Sequence, residues 1–277
     1  MNDRARDGGA DKVFGVWDQS MDALVTYRYV GCRSVLLDDL HAQGGLRLRS
    51  NLRTPCGPLT APLAIAALDA WGNLLDRRHH LALTHVEVEL FDDERDVDAV
   101  TVFASVTREA RTQVFTEARL VAAGQPTRLI GIAAADWAIL APTPPGFEYR
   151  DPGDGVGDRN GLPHLWEVFH GTRLGTGAFT ITPLDAEIGT DVLHHGPILV
   201  VGEAAAFDAA ASAMDITDLA VEHSSTRIVA AGRRGPFTVD ADVLHTGATV
   251  TCRVTVRDTG YDDRLVAVTI VRLRPSR

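Results

Sequence analysis

Two long apolar stretches, each followed by a series of alternating strands, organise the chain. CGPLTAPLAIAALDAWGNLLD (56–76) and HGPILVVGEAAAFDAAASAMD (195–215) are small or apolar at nearly every position. Apolar character on all sides of a helix predicts burial on most sides. Each stretch opens beside Gly-Pro, and proline suits a first helical turn. Pro62 falls near the start of the first copy as well. Downstream, segments 101–140 and 237–273 read as alternating strands parted by polar turns. In ATVTCRVTVRDTGYDDRLVAVTIVRLR two β-branched runs flank DTGYDD, which predicts a hairpin.

The two stretches superpose without a gap. Gly57 meets Gly196, Pro58 meets Pro197, Asp69 meets Asp208 and Asp76 meets Asp215, each pair 139 apart (196 − 57 and likewise). His85 and His223 follow 138 apart, each near the start of a strand-like run. The segment 141–163, APTPPGFEYRDPGDGVGDRNGLP, has the Pro, Gly and Asp content of a linker. The expectation is an α+β protein of two like domains, 1–140 and 164–277, joined by 141–163. Each has one long central helix wrapped by an antiparallel sheet. A single such sheet leaves an open face or edge, so the halves are expected to pair.

The chain has 277 residues, 45% hydrophobic and 23% charged, enough for two domains of ordinary size or one large one. A net charge of −10 argues against a nonspecific grip on nucleic acid. Lys12 is the only lysine, so any anionic ligand falls to arginine. Cys32, Cys56 and Cys252 are scattered without CxxC or metal spacing, and their odd number argues against a disulfide framework. The start, MNDRARDGGADK, lacks the apolar core of a signal peptide. The run from Pro197 to Met214 comes nearest to a bilayer span but carries Glu203 and Asp208. The default expectation is a cytoplasmic protein with no membrane partner.

Glu203 is the anomaly, a carboxylate inside an apolar run that needs a partner if buried. It does not recur: Ala64 or Ile65 takes the equivalent place in the first copy. Two readings stay open, a catalytic acid and a helix carboxylate that faces solvent or pairs with arginine. Asp69 and Asp208 do recur, which fits either function or a structural hydrogen bond. His194 and His195 suit either a polarising role or backbone contacts. The pair His79 and His80 has no ligands at metal spacing, so no metal is expected. Cys56 is read as structural. GTRLGTG (171–177) precedes a strand rather than a helix and is no phosphate cradle, and GxGxxG, P-loop and GxSxG patterns are absent.

HHGPILVVGE, its degenerate copy TPCGPLTAPLA and the strand series after each helix resemble the tandem, or double, hotdog-fold proteins of the acyl-CoA thioesterase-like superfamily. The phenylacetate-pathway and hydroxybenzoyl-CoA thioesterases are relatives of that group. The resemblance implies a Gly-containing turn opening each helix, a helix-start amide that polarises a thioester carbonyl, and a carboxylate about two turns on. With His194 in the family's His position that carboxylate is Glu203; in the other register Ala204 stands there and the acid is lost.

On this basis Glu203 is expected as base or nucleophile, with His195 as a supporting polar group and Asp208 as a further candidate acid. Gly196 and Gly57 are expected to position the carbonyl, and Arg233 and Arg234 to meet the nucleotide of coenzyme A. No cofactor is expected beyond the coenzyme A of the substrate. The expected partner is an acyl-CoA-type small molecule, and the chain is a pseudo-dimer or pairs further through its sheets. Two other readings remain: a hotdog pair that only binds a hydrophobic ligand, and a hydratase using Asp191 and His195 of GTDVLHHGP.

Overall fold

A computed structural model describes residues 23–91, 95–143, 155–159 and 161–275. In chain order come α1 (Val25–Val30), β1 (Arg33–Leu36), β2 (His41–Arg47), β3 (Arg53–Thr54), β4 (Gly57–Pro58), α2 (Thr60–Leu75), β5 (His79–Leu90), β6 (Ala99–Glu109), β7 (Gln113–Ala122) and β8 (Leu129–Pro142). Then follow α3 (Leu165–Val168), β9 (Gly171–Gly175), β10 (Ala178–Ile181), α4 (His195–Met214), β11 (Leu219–Ile228), β12 (Phe237–Thr246), β13 (Val250–Asp258) and β14 (Arg264–Pro275). The opening dodecamer and residues 144–154 and 160 of the expected linker lie outside the described residues.

Twelve strands share one sheet in the order β1-β2-β6-β7-β8-β5-β11-β14-β13-β12-β10-β9. Read inward from either edge the order is the same, with β9 to β14 standing for β1, β2 and β5 to β8 respectively. The halves meet at an antiparallel β5–β11 ladder, where Glu87 lies opposite Ser225 and His85 opposite Arg227. Alternation sets the faces of the strands. In β13, Val250, Cys252, Val254 and Val256 are buried while Thr251, Arg253 and Thr255 turn outward. The expected DTGYDD turn joins β13 to β14.

Every residue of α2 except Gly72 is buried. Leu63, Ile65, Leu68, Trp71 and Leu75 are essentially inaccessible, and full burial of each such leucine stabilises by ~2 kcal/mol. Trp71 Nε1 donates to the Glu117 carbonyl at 3.1 Å and the ring stands edge-on to Trp137. In α4, Ile198 to Glu203 and much of the alanine-rich second half are buried too. This helix is long and apolar enough to cross a bilayer, but core packing accounts for its composition.

The helices end in register, with Leu75 and Met214 139 apart, but start differently. The same offset from Thr60 reaches Leu199 (60 + 139), whereas α4 begins at His195, a full turn earlier. The expected common start after Gly-Pro is therefore corrected. Gly57 has φ +143° and sits in the β3–β4 hairpin, which no helical residue could share. Gly196 and Pro197 instead lie within the first turn of α4.

Candidate functional site

The start of α2 leaves amides without helical partners. The Leu59 amide donates to the Leu52 carbonyl, and Pro62 has no amide to satisfy. Thr60 and Ala61 remain, and Leu59 offers no side-chain cap. Glu203, reaching across from α4, fills that role. Its Oε1 accepts from the Thr60 amide at 2.7 Å and from the Thr60 hydroxyl in a very short contact, and its Oε2 accepts from the Ala61 amide at 3.1 Å. Glu203 is 4% exposed. Burial pushes its pKa up, opposed by the Thr60 hydroxyl and the two amides. The carboxylate thus sits on the positive end of a helix from the other half.

This corrects the expected geometry, in which Glu203 works along its own helix with Gly196. Glu203 lies seven residues beyond Gly196, roughly 10 Å along the axis, and the acid meets α2 instead. Neighbouring Gly202 passes over the buried Thr226–Thr269 hydroxyl pair, which is hydrogen-bonded at 2.9 Å. Gly57 lies three residues before Thr60 in the hairpin that delivers α2. Thr54 braces this hairpin by accepting from the Cys56 amide and donating to the Leu219 carbonyl.

The start of α4 is closed by other means. A Cβ at Gly196 would collide with Thr26 Oγ1 of α1 and come within 2.8 Å of the Phe169 ring. Glycine there admits the packing of α1 rather than a carbonyl. His194 Nδ1 bonds Thr26 Oγ1 at 2.9 Å, and Tyr27 stands edge-on to both histidine rings. Burial lowers the pKa of His194 to about 3, and burial with His194 beside it holds His195 well below the ordinary histidine value. His195 Nε2 is buried without a partner among the described residues. His195 is thus half-buried beside α1, and Asp191, its expected hydratase partner, is exposed.

The remaining expectations resolve into structural contacts. Asp208 accepts from Arg173 Nε at 3.0 Å and from the Gly177 amide at 2.8 Å, anchoring the β9–β10 turn to α4. Its recurrence thus carries no contact with Glu203. Arg233 and Arg234 donate their backbone amides, with that of Gly235, to the fully buried carboxylate of Asp258. Their side chains are exposed, and Arg234 lies over the Tyr261 ring. The Gly232 carbonyl ties the same loop to Leu193, just before α4. These arginines thus border the closed start of α4. The residues missed in the sequence are Thr60 and Ala61, whose contribution is backbone amides, and α1, which is too short for a periodic signal.

No protein-family model and no curated protein sequence matches the chain. Solved structures do match over most of its length. The tesB protein of Mycobacterium avium subs paratuberculosis superposes with a TM-score of 0.60 at 12% identity, over 92% of this chain and 98% of that one. An acyl-CoA thioesterase II from Mycobacterium marinum superposes at 0.58 and 13% identity, over 87% and 94%. A hot dog fold protein from Alicyclobacillus acidocaldarius superposes at 0.59 and 11% identity, over 90% and 97%. The chain has the hotdog fold, and its structural neighbours include thioesterases.

Proposed function

We propose that the chain is a double hotdog that hydrolyses an acyl-CoA or related thioester at a single site between its halves. The observation that carries this reading is the Glu203 carboxylate of α4 held against the Thr60 and Ala61 amides of α2. Those amides are the donors a developing oxyanion needs. A bound thioester carbonyl takes them in place of the carboxylate, which leaves Glu203 beside the carbonyl carbon. Glu203 then removes a proton from water as the oxygen adds to that carbon. Collapse of the adduct breaks the C–S bond, and the departing thiolate takes up the proton. A carboxyl pKa raised by burial suits a general base. A single site fits the first copy, where Ala64 stands at the position of Glu203, and the start of α4, which α1 covers. Coenzyme A enters only as part of the substrate.

The test is thiol release from a panel of acyl-CoA thioesters. Glu203→Gln is expected to lower kcat/KM at least ~100-fold with the fold intact by circular dichroism. Undiminished activity in that variant removes the mechanism. One observation favours a second reading, a module that only binds acyl-CoA: both carboxylate oxygens are already engaged in a site closed to solvent. Thermal stabilisation by acyl-CoA without thiol release from the wild-type protein would select it.

A further inference from the structure

We propose that Ser225, His85 and Asp136 form a second nucleophilic site, on the solvent face of the sheet, that takes an acyl group from small activated esters. The three come from three adjacent strands, β11, β5 and β8. Ser225 Oγ and His85 Nε2 are 2.9 Å apart, and His85 Nδ1 faces Asp136 Oδ2 at 3.7 Å. A carboxylate on the Nδ1 side favours hydrogen on that nitrogen and leaves Nε2 to accept the serine hydroxyl. A nucleophile bonded to a base that a third group orients is the arrangement nucleophilic catalysis requires. The 3.7 Å separation is loose, as such contacts often are before substrate binds. Glu87 Oε2, at 3.9 Å from Nε2, is beyond hydrogen-bond reach of the imidazole.

The strand ladder explains the assembly. His85 pairs with Asp136 across β5–β8, and Ser225 lies one outward position along from Arg227, the residue opposite His85. Between them Val86 and Val88 point into the core, so the polar trio shares the outer face. His85 keeps 21% and Asp136 40% of side-chain surface, which leaves the trio open to a small reagent. Arg227 is exposed on the same face and supplies positive charge for an oxyanion roughly 7 Å along the strand from Ser225.

The second half does not repeat the trio. Glu87 and Ser225 face each other across the junction, 138 apart, as are His85 and His223 (225 − 87 and 223 − 85). The counterpart of Ser225 is thus Glu87, and where His85 pairs with Asp136, His223 pairs with Arg272. Burial, and then Arg272, lower the pKa of His223. An inherited sheet contact would be kept on both sides of the junction. Here His85 bonds a serine hydroxyl across the junction, whereas its mate His223 lies opposite Glu89 and feels Glu87, Glu89 and Arg272 instead.

In the step proposed, Ser225 Oγ bonds to the acyl carbon and its proton passes to His85 Nε2. The ester C–O bond then breaks, and the departing alcohol takes that proton. Water later cleaves the acyl-serine by the same route.

A fluorophosphonate tests this directly, because Oγ bonds phosphorus, the P–F bond breaks and the adduct is stable. The full chain is treated and digested, and the adduct is located by mass spectrometry. An adduct at Ser225 is expected, absent in Ser225→Ala and formed at least ~10-fold more slowly in His85→Gln. Asp136 acts as a positioning residue: Asp136→Asn is expected to slow labelling, and Asp136→Glu to restore it, with melting temperatures unchanged. Glu203→Gln is expected to label normally, which separates this site from the thioester site. No adduct at Ser225, or labelling indifferent to His85→Gln in a folded variant, overturns the proposal.

Discussion

Glu203 and Thr60, 143 residues apart in sequence, share one buried hydrogen-bonded site in which a carboxylate of one half caps the helix of the other. The cap is structural as well as chemical, because the Thr60 and Ala61 amides have no helical partners. Glu203→Ala leaves both buried donors unsatisfied, at about 1–3 kcal/mol for each group. A loss of about 2–4 kcal/mol in urea unfolding is expected. Glu203→Gln keeps an acceptor oxygen and is expected to lose less than half of that. Equal stability of Glu203→Ala and wild type in urea titration would show that the cap carries no load.

Gly196→Ala separates the two helix starts. The added methyl meets Thr26 and Phe169, which close the start of α4. Overpacking of this kind costs about 1–3 kcal/mol. Thioester hydrolysis per folded molecule is expected to stay within about twofold, since α2 supplies the amides in the proposed site. Loss of activity in a stable Gly196→Ala protein would return the reacting carbonyl to α4.

The hotdog fold and the antiparallel strand series were legible because burial writes itself into the sequence as periodicity. Glu203 stood out for the same reason, as an acid in an apolar run without a counterpart in the first copy. What it touches was not legible. Its partners are two backbone amides, which carry no side-chain signature, and they lie 142 and 143 residues away. The Gly-Pro repeat misled for a related reason. Identical residues sit in a hairpin in one half and in a helix in the other, because Gly57 has φ +143° and Gly196 sits within the first turn of α4. Asp69 and Asp208 recur, yet Asp208 serves a hairpin turn. Identity at a fixed offset thus does not by itself mark shared local structure or shared chemistry.

Asp258 offers a stability test remote from both proposed sites. Its carboxylate, with no exposed surface, collects the successive amides of Arg233, Arg234 and Gly235. Asp258→Ala orphans all three, and a loss of about 3–5 kcal/mol is expected in urea unfolding. Arg233→Ala and Arg234→Ala keep their backbone amides, so each is expected to change stability by under about 0.5 kcal/mol. The same two variants test the expected contact with the coenzyme A nucleotide. A rise in KM without a change in kcat would restore that role to the exposed side chains.

Asp76 closes α2, and burial pushes its carboxyl pKa up to about 7 from an ordinary 3.8. A carboxyl with a folded pKa above its unfolded value favours the folded state below the unfolded pKa, and that contribution is lost as pH rises through the folded pKa. Wild-type stability is therefore expected to fall, on account of this group, between about pH 4 and 7 and to level off above. Asp76→Asn removes the titration and is expected to be the more stable protein at pH 8, with the gap shrinking towards pH 4. The full linkage of such a shift is roughly 4 kcal/mol. Asp76 keeps part of its surface, so a gain of about 1–2 kcal/mol is expected after solvent screening. Urea titrations of both proteins at half-unit steps from pH 4 to 8 measure it. A difference that stays constant across that range would place the Asp76 carboxyl in water in the folded protein.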